Sequence, residues 1–191
     1  MLEFKDMQEK LQSALSPKRF IHTLGVVETA LQLGHIYNID EEKVKVSALL
    51  HDCAKDIPNT LKLRLCKEYH IPLDEILLQD IELSHSFLGA EIAKRDYRVK
   101  DEEILNAIRY HTTGRAHMSV LEKIIYLADY IEPNRTSFKG LEEVRQYVTH
   151  DLDRAMETAL KNTIEYLAKN DRVIHPLTIE ALEFIHSKKE D

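Results

Sequence analysis

Ser119-Val120-Leu121-Glu122-Lys123-Ile124-Ile125-Tyr126-Leu127-Ala128-Asp129-Tyr130-Ile131 is the stretch that decides the fold class. Ser119 with Glu122 three residues later is a capping box that opens a helix. Pro133 stops it, because proline cannot continue an α-helix. The apolar run at 124–128 makes this helix buried around much of its circumference. Asp129 nevertheless stands inside it. An unpaired buried carboxylate is very costly, so Asp129 needs a cationic or metal partner. Arg or Lys is the commoner partner in general, but ten histidines in the chain tip the balance toward a metal.

The rest of the chain reads the same way. Phe4, Met7, Leu11 and Leu15 form one helical stripe. Ser16-Pro17 supplies an N-cap and a first-turn proline for a helix running to about residue 38. Asp40 caps a helix that ends near His51-Asp52, and Asn59-Thr60 opens another. A short helix follows Pro72, one starts at Ser84 and continues to about residue 97, and Asp101 caps one that ends at His111. Thr112-Thr113-Gly114 breaks that helix, and segments 141–148, 151–169 and 177–186 complete the set. No alternation of the kind a strand needs is present, nor any repeat or low-complexity linker. The expectation is an all-α, single compact helical domain over residues 1–191, with 134–140 as an irregular segment of functional interest.

Composition excludes several classes. With 26 Lys and Arg against 33 Asp and Glu, the net charge of -7 argues against a broad basic surface for nucleic acid. The longest apolar runs are far too short to span a bilayer. Met1-Leu2-Glu3-Phe4-Lys5-Asp6 lacks the basic-then-apolar pattern of a secretory signal, so a cytoplasmic location is expected. Cys53 and Cys66 have neither disulfide-framework nor zinc spacing and read as buried thiols. Apolar residues on exposed faces permit a homodimer.

Gly inside a helix costs about 1 kcal/mol relative to Ala, so interior glycines need a reason. Gly25 lies three residues after His22 and Gly89 four after His85, each on its histidine's face. Close helix contact is one reading, and room left beside an imidazole is the other. Gly114 is a turn residue. His51-Asp52 arrives on the buried segment Val46-Ser47-Ala48-Leu49-Leu50, followed at once by Lys55-Asp56. Neighbouring helical side chains point about 100° apart. The pair can therefore share one ion only if one side chain bends in, or if Asp52 also bridges to a second ion.

His22, then His51-Asp52, then Asp129 resembles the H…HD…D pattern of HD-domain metal-dependent phosphohydrolases. His85 and His111 between them resemble the members with two metals. The phrases Arg19-Phe20-Ile21-His22-Thr23-Leu24-Gly25-Val26, His51-Asp52-Cys53-Ala54-Lys55-Asp56 and Arg109-Tyr110-His111-Thr112-Thr113-Gly114 are similar to the YqeK subfamily. So is Tyr126-Leu127-Ala128-Asp129-Tyr130-Ile131-Glu132-Pro133-Asn134-Arg135. The likeness covers roughly residues 16–170.

This resemblance implies an HD-domain helical bundle and symmetrical hydrolysis of diadenosine tetraphosphate to two ADP by a metal-bridging hydroxide. His22, His51, Asp52 and Asp129 would hold one metal, and His85 and His111 the second, with Asp52 shared. Four His and two Asp suit iron, manganese or zinc rather than magnesium or calcium; the resemblance favours iron. Lys55, one turn after His51, would reach a phosphate oxygen or the leaving group, against the alternative of a solvated surface lysine. Asp56 would orient water or stand behind the ligands, unless it is a helix cap. Arg135 would fork onto a phosphate, and Thr112 and Thr113 either bind substrate or cap the next turn. Among the six other histidines His117 is the best candidate for substrate contact, and structural roles suit all six. The alternatives are an HD-type nucleotidase acting on dNTPs, nucleoside diphosphates or monophosphates, and a nucleotide-binding regulatory module without catalysis.

Overall fold

Side-chain caps start most of the helices. Ser16 accepts from the Arg19 N–H, Asp40 from Lys43, Asp74 from Leu77, Asp101 from Glu103, Ser119 from Glu122 and Asp151 from Arg154. The computed structural model describes residues 1–138 and 140–188. Its helices are α1 (Phe4–Ala14), α2 (Pro17–Ile36), α3 (Glu41–Leu50), α4 (Asn59–Glu68), α5 (Glu75–Gln79) and α6 (Ser84–Asp96). They continue with α7 (Glu102–Tyr110), α8 (Val120–Ile131), α9 (Leu141–Tyr147), α10 (Leu152–Lys169) and α11 (Pro176–Ser187). A 3₁₀ turn over Ile81–Leu83 precedes α6. There is no strand among the described residues, so the all-α expectation holds. Lys139, in the irregular segment 134–140, and residues 189–191 lie outside the described residues.

The capping box at α8 is only half made. Ser119 Oγ accepts the Glu122 N–H at 3.2 Å, but the buried Glu122 carboxylate turns to the Arg115 guanidinium, at 2.6 and 2.9 Å. A charge-assisted fork outcompetes a return bond to one backbone amide.

Two apolar clusters fill the interior. One gathers α8 with the inner faces of α2, α9, α10 and α11. The other gathers α1, α4 and α6 around Leu11, Cys66 and Leu88. α3 and α7 serve both: Val44, Ala48 and Ala107 face the first cluster, while Leu49, Leu50, Leu105 and Ile108 face the second. Burying each such Leu or Ile contributes about 1.5–3 kcal/mol, so this shared wall is rigid. Its C-terminal ends, His51 and His111, stand where the two clusters meet. No helix among the described residues is long and apolar enough to cross a membrane.

Candidate metal centre

Asp52, in the turn after α3, is the hub. Its Oδ1 lies 3.2 Å from His85 Nε2 and 3.4 Å from His111 Nε2. Its Oδ2 lies 3.5 Å from His51 Nε2 and 3.8 Å from His22 Nε2. His22 Nε2 is in turn 3.0 Å from Asp129 Oδ1, and His85 and His111 bring their Nε2 atoms within 3.3 Å of each other. All six expected ligand positions therefore meet around one carboxylate. His22, His51 and Asp129 form one group with ligand geometry, and His51, Asp52 and His111 another.

The imidazoles are held from behind by a repeated device. His51 Nδ1 donates to Ala48 O and His111 Nδ1 to Ile108 O, both at 2.7 Å. His85 Nδ1 donates to Glu82 O at 2.5 Å. Each acceptor is three residues upstream, and for His51 and His111 it is one of the carbonyls a helix end leaves free. His22, mid-helix in α2, has no such carbonyl and uses Glu132 Oε1 at 3.1 Å. A proton fixed on Nδ1 leaves a lone pair on Nε2. The lone pairs of His22 and His51 then face carboxylate oxygens, which is repulsive without a cation, while those of His85 and His111 face Asp52 Oδ1, each other and the Thr112 hydroxyl. Nε2 of His22 and of His51 is buried and completes no hydrogen bond among the described residues. Two orphaned donor nitrogens in a shell of imidazole and carboxylate fit transition-metal ions.

Two arginines approach the same carboxylates. Arg19 Nη1 lies 2.8 Å from Asp52 Oδ2. Arg135 Nη2 lies 2.6 Å from Asp129 Oδ1, with its Nε on the Asp129 carbonyl at 3.0 Å. Burial works to raise the Asp52 carboxyl, but His51, His111 and His85 outweigh it and hold it well below the usual range. Asp129 is likewise held far down against its burial by His22 and Arg135. Burial would lower His51, yet Asp52 and Asp129 raise it; burial pushes His85 down to about 4.

Lys55 Nζ lies 3.5 Å from His85 Nδ1, and burial lowers its pKa. The Thr112 hydroxyl sits 3.2 and 3.1 Å from Nε2 of His85 and His111, at the edge of the cluster. Thr113 instead bonds the Gly114 carbonyl. Asp56 accepts the Ser16 N–H at 2.7 Å, a tie between the start of α2 and the turn after α3. His117 packs on Phe184 with ring centroids 4.0 Å apart.

An HD-domain family model matches residues 19–134, a span containing all six expected ligand positions. The chain belongs to the HD-domain family. It is 40% identical over 168 residues to a Bacillus subtilis protein named bis(5'-nucleosyl)-tetraphosphatase, symmetrical, covering 88% of this chain and 89% of that one. A Halalkalibacterium halodurans protein of the same name is 43% identical over 165 residues, covering 86% and 87%. These likenesses, over most of both chains, place this HD-domain chain in the YqeK subfamily. Its fold is similar to a crystal structure of a predicted HD superfamily hydrolase involved in NAD metabolism from Clostridium acetobutylicum. The TM-score is 0.95 at 40% identity, over 98% of this chain and 99% of that one.

Two members of this HD-domain site, Arg19 and Glu132, escape the motif reading. Arg19 lies one turn before His22 on the same face, a spacing that could have marked it. Glu132 is an acid at the C-terminal end of α8, where the helix dipole disfavours negative charge, and it is 2% exposed. A buried, misplaced carboxylate is itself a signal. The structure separates the two glycines. A Cβ at Gly25 would stand 2.6 Å from Glu132 Oε2, so the room left beside the His22 imidazole is filled by the carboxylate that accepts from its Nδ1. A Cβ at Gly89 would meet Cys53 Sγ and Ile108 Cγ2 at an ordinary 3.5 Å, so that glycine faces plain helix contact.

Proposed function

We propose that this protein hydrolyses diadenosine tetraphosphate symmetrically, giving two ADP, at a two-metal centre built on Asp52. The observation that carries the reading is the convergence of four histidines on the two oxygens of Asp52, with Asp129 against His22, in a chain alike over most of its length to named symmetrical tetraphosphatases. His22, His51, Asp52 and Asp129 would hold one metal, and His85, His111 and the shared Asp52 the other. Iron suits this nitrogen and oxygen shell, as do manganese and zinc. Bound metals supply Lewis acidity and a water acidified enough to attack phosphorus at neutral pH.

The protein's own groups do the rest. Nδ1 anchoring fixes the four imidazoles before substrate arrives, so little reorganisation accompanies the reaction. Hydrolysis adds a water oxygen to an inner phosphorus and breaks the central P–O–P bridge, leaving one diphosphate on each nucleoside. Lys55 and Arg135 stand at the cluster's edge, where negative charge grows on the departing ADP. Because their positive charge is local, a net charge of -7 is no obstacle to a polyanionic substrate.

The test is product analysis of purified protein supplied with iron or manganese, with metal content measured on the same sample. Diadenosine tetraphosphate should yield ADP alone. ATP plus AMP, or release of phosphate from monophosphates with no tetraphosphate turnover, would overturn the reading.

A further inference from the structure

His85 is anchored unlike the other two carbonyl-held histidines. His51 and His111 close the C-terminal ends of α3 and α7, where a helix leaves its own carbonyls free. His85 is the second residue of α6, and its acceptor is Glu82, in the 3₁₀ turn over Ile81–Leu83. So short a turn, with poorer hydrogen-bond geometry than an α-helix, is the weaker support.

Side chains tie this turn down. The Glu82 N–H donates to Asp80 Oδ1 at 3.2 Å, and Ser84 Oγ donates to the Ile81 carbonyl at 2.7 Å. Both ties are local and move with the turn. Two others reach the rest of the chain. Arg172, between α10 and α11, lies 2.9 Å from Asp80 Oδ2, and Lys62 of α4 lies 3.0 Å from Glu82 Oε2. Arg172 is 49% exposed, and an exposed ion pair holds little. Lys62 is 0% exposed, with Asn59 Oδ1 3.4 Å from its ammonium. A lysine is almost never fully buried, and an apolar residue there would serve packing as well or better. Its presence needs a reason beyond stability.

The reason lies at His85 Nδ1, where two neighbours demand opposite tautomers. The Glu82 carbonyl, at 2.5 Å, can only accept a proton from Nδ1, whereas the Lys55 ammonium, at 3.5 Å, can only donate one to it. A neutral imidazole has a single proton to place. When Nδ1 donates to Glu82, the lone pair lies on Nε2, 3.2 Å from Asp52 Oδ1. When Nδ1 accepts from Lys55, the proton moves to Nε2, and that nitrogen can no longer hold a metal. A small retreat of the turn hands Nδ1 to the lysine. We propose that Lys62 and Glu82 are a positioning pair that keeps His85 in its metal-binding tautomer. The buried ammonium fixes the turn, and the turn keeps the Glu82 carbonyl on Nδ1. This rests on the two-metal reading above and adds the groups outside the ligand set that complete its Oδ1 side.

Magnetic resonance of the histidine ring nitrogens in the zinc-loaded full chain reads the tautomer directly. In wild-type protein His51, His85 and His111 should each show a slowly exchanging Nδ1–H. Lys62→Met removes the ammonium and leaves Glu82, its side chain 44% exposed, to be solvated, so the fold should hold. It should cost the His85 Nδ1–H signal alone and weaken one of two zinc ions about tenfold or more in competitive chelation. Adding Lys55→Met should bring the His85 signal back, because the competing donor is gone. Glu82→Gln should give a smaller change in the same direction, and it serves if Lys62→Met does not fold. An unchanged His85 signal in both single variants, an equal change at His51 and His111, or no recovery in the double variant overturns the pair. If wild-type protein makes no ADP from diadenosine tetraphosphate, or holds a single zinc, while the His85 signal still follows Lys62, the two-metal reading falls and the positioning pair stands.

Discussion

The two oxygens of Asp52 look onto unlike surroundings. On the Oδ2 side stand His22, His51 and Asp129, with Glu132 behind His22 and with Arg19 and Arg135 on the carboxylates. On the Oδ1 side stand His85 and His111, their Nδ1 atoms held by main-chain carbonyls, with Lys55 3.5 Å from His85. Both sides carry cations close by, but the first has a carboxylate ligand of its own in Asp129, while the second borrows its only carboxylate from Asp52. Opposite charge within a few ångströms is what holds a cation in a low-dielectric site, so the Oδ2 side should bind metal more tightly. Asp52 is the part neither side can lose.

Asp52→Ala should therefore have the largest effect. Metal content should fall to near zero and turnover should drop by more than the roughly 10–100-fold typical of changes behind the ligands. Retained metal and activity would break the hub. Next come Asp129→Ala and His85→Ala, each expected to leave about one metal per chain by elemental analysis and to abolish the two-metal reaction. Graded chelation sharpens the contrast. His85→Ala should keep its remaining ion longer than Asp129→Ala keeps its own. The reverse order would show that the missing carboxylate does not weaken the Oδ1 side.

Burial of His85 adds a pH signature for metal-free protein. The folded chain protonates His85 only near pH 4, whereas an unfolded chain does so near 6.5. Between these values the unfolded state binds more protons, so stability falls as pH falls through that window, by about 3 kcal/mol for a shift of this size. His51 acts oppositely, because its raised pKa contributes stability below 6.5 that is lost as pH rises. Comparing chelated wild-type protein with His85→Leu isolates the first effect. Denaturant midpoints at pH 7 and pH 4.5 should show a larger acid loss in wild-type protein, and equal losses would remove burial as the cause.

Local chemistry explains what could be read without coordinates. Ser16, Asp40, Asp101 and Asp151 cap helices through bonds spanning two or three residues, so their effect is visible in sequence. His51, Asp52 and Asp129 stood out because polar residues in apolar helices need partners. Glu122 misled because its competitor, Arg115, is seven residues away. Arg19 and Glu132 matter only once α2 and α8 pack together. Chemistry that depends on one helix was legible, whereas chemistry that depends on how two helices meet was not.

Gly25 gives the finest probe of that meeting. A Cβ there would lie 2.6 Å from Glu132 Oε2 and 2.9 Å from Asn134 Nδ2, closer than real contacts allow. Both atoms are ends of side chains, so they can shift, and the backbone of α2 is untouched. Gly25→Ala should thus move the Glu132 carboxylate off His22 Nδ1 without disrupting the fold. Alanine gains up to about 1 kcal/mol of helix propensity at an interior position, which offsets the cost of that shift. Folding stability should change little, while metal affinity falls about tenfold, the lower end for losing a group behind a metal histidine. Glu132→Gln should give a comparable loss on the Oδ2 side, leaving the His85–His111 side unchanged. If Gly25→Ala keeps wild-type metal affinity, the glycine serves close packing of α2 on the end of α8 alone, and the Glu132 bond to His22 does not set how tightly that side holds its ion.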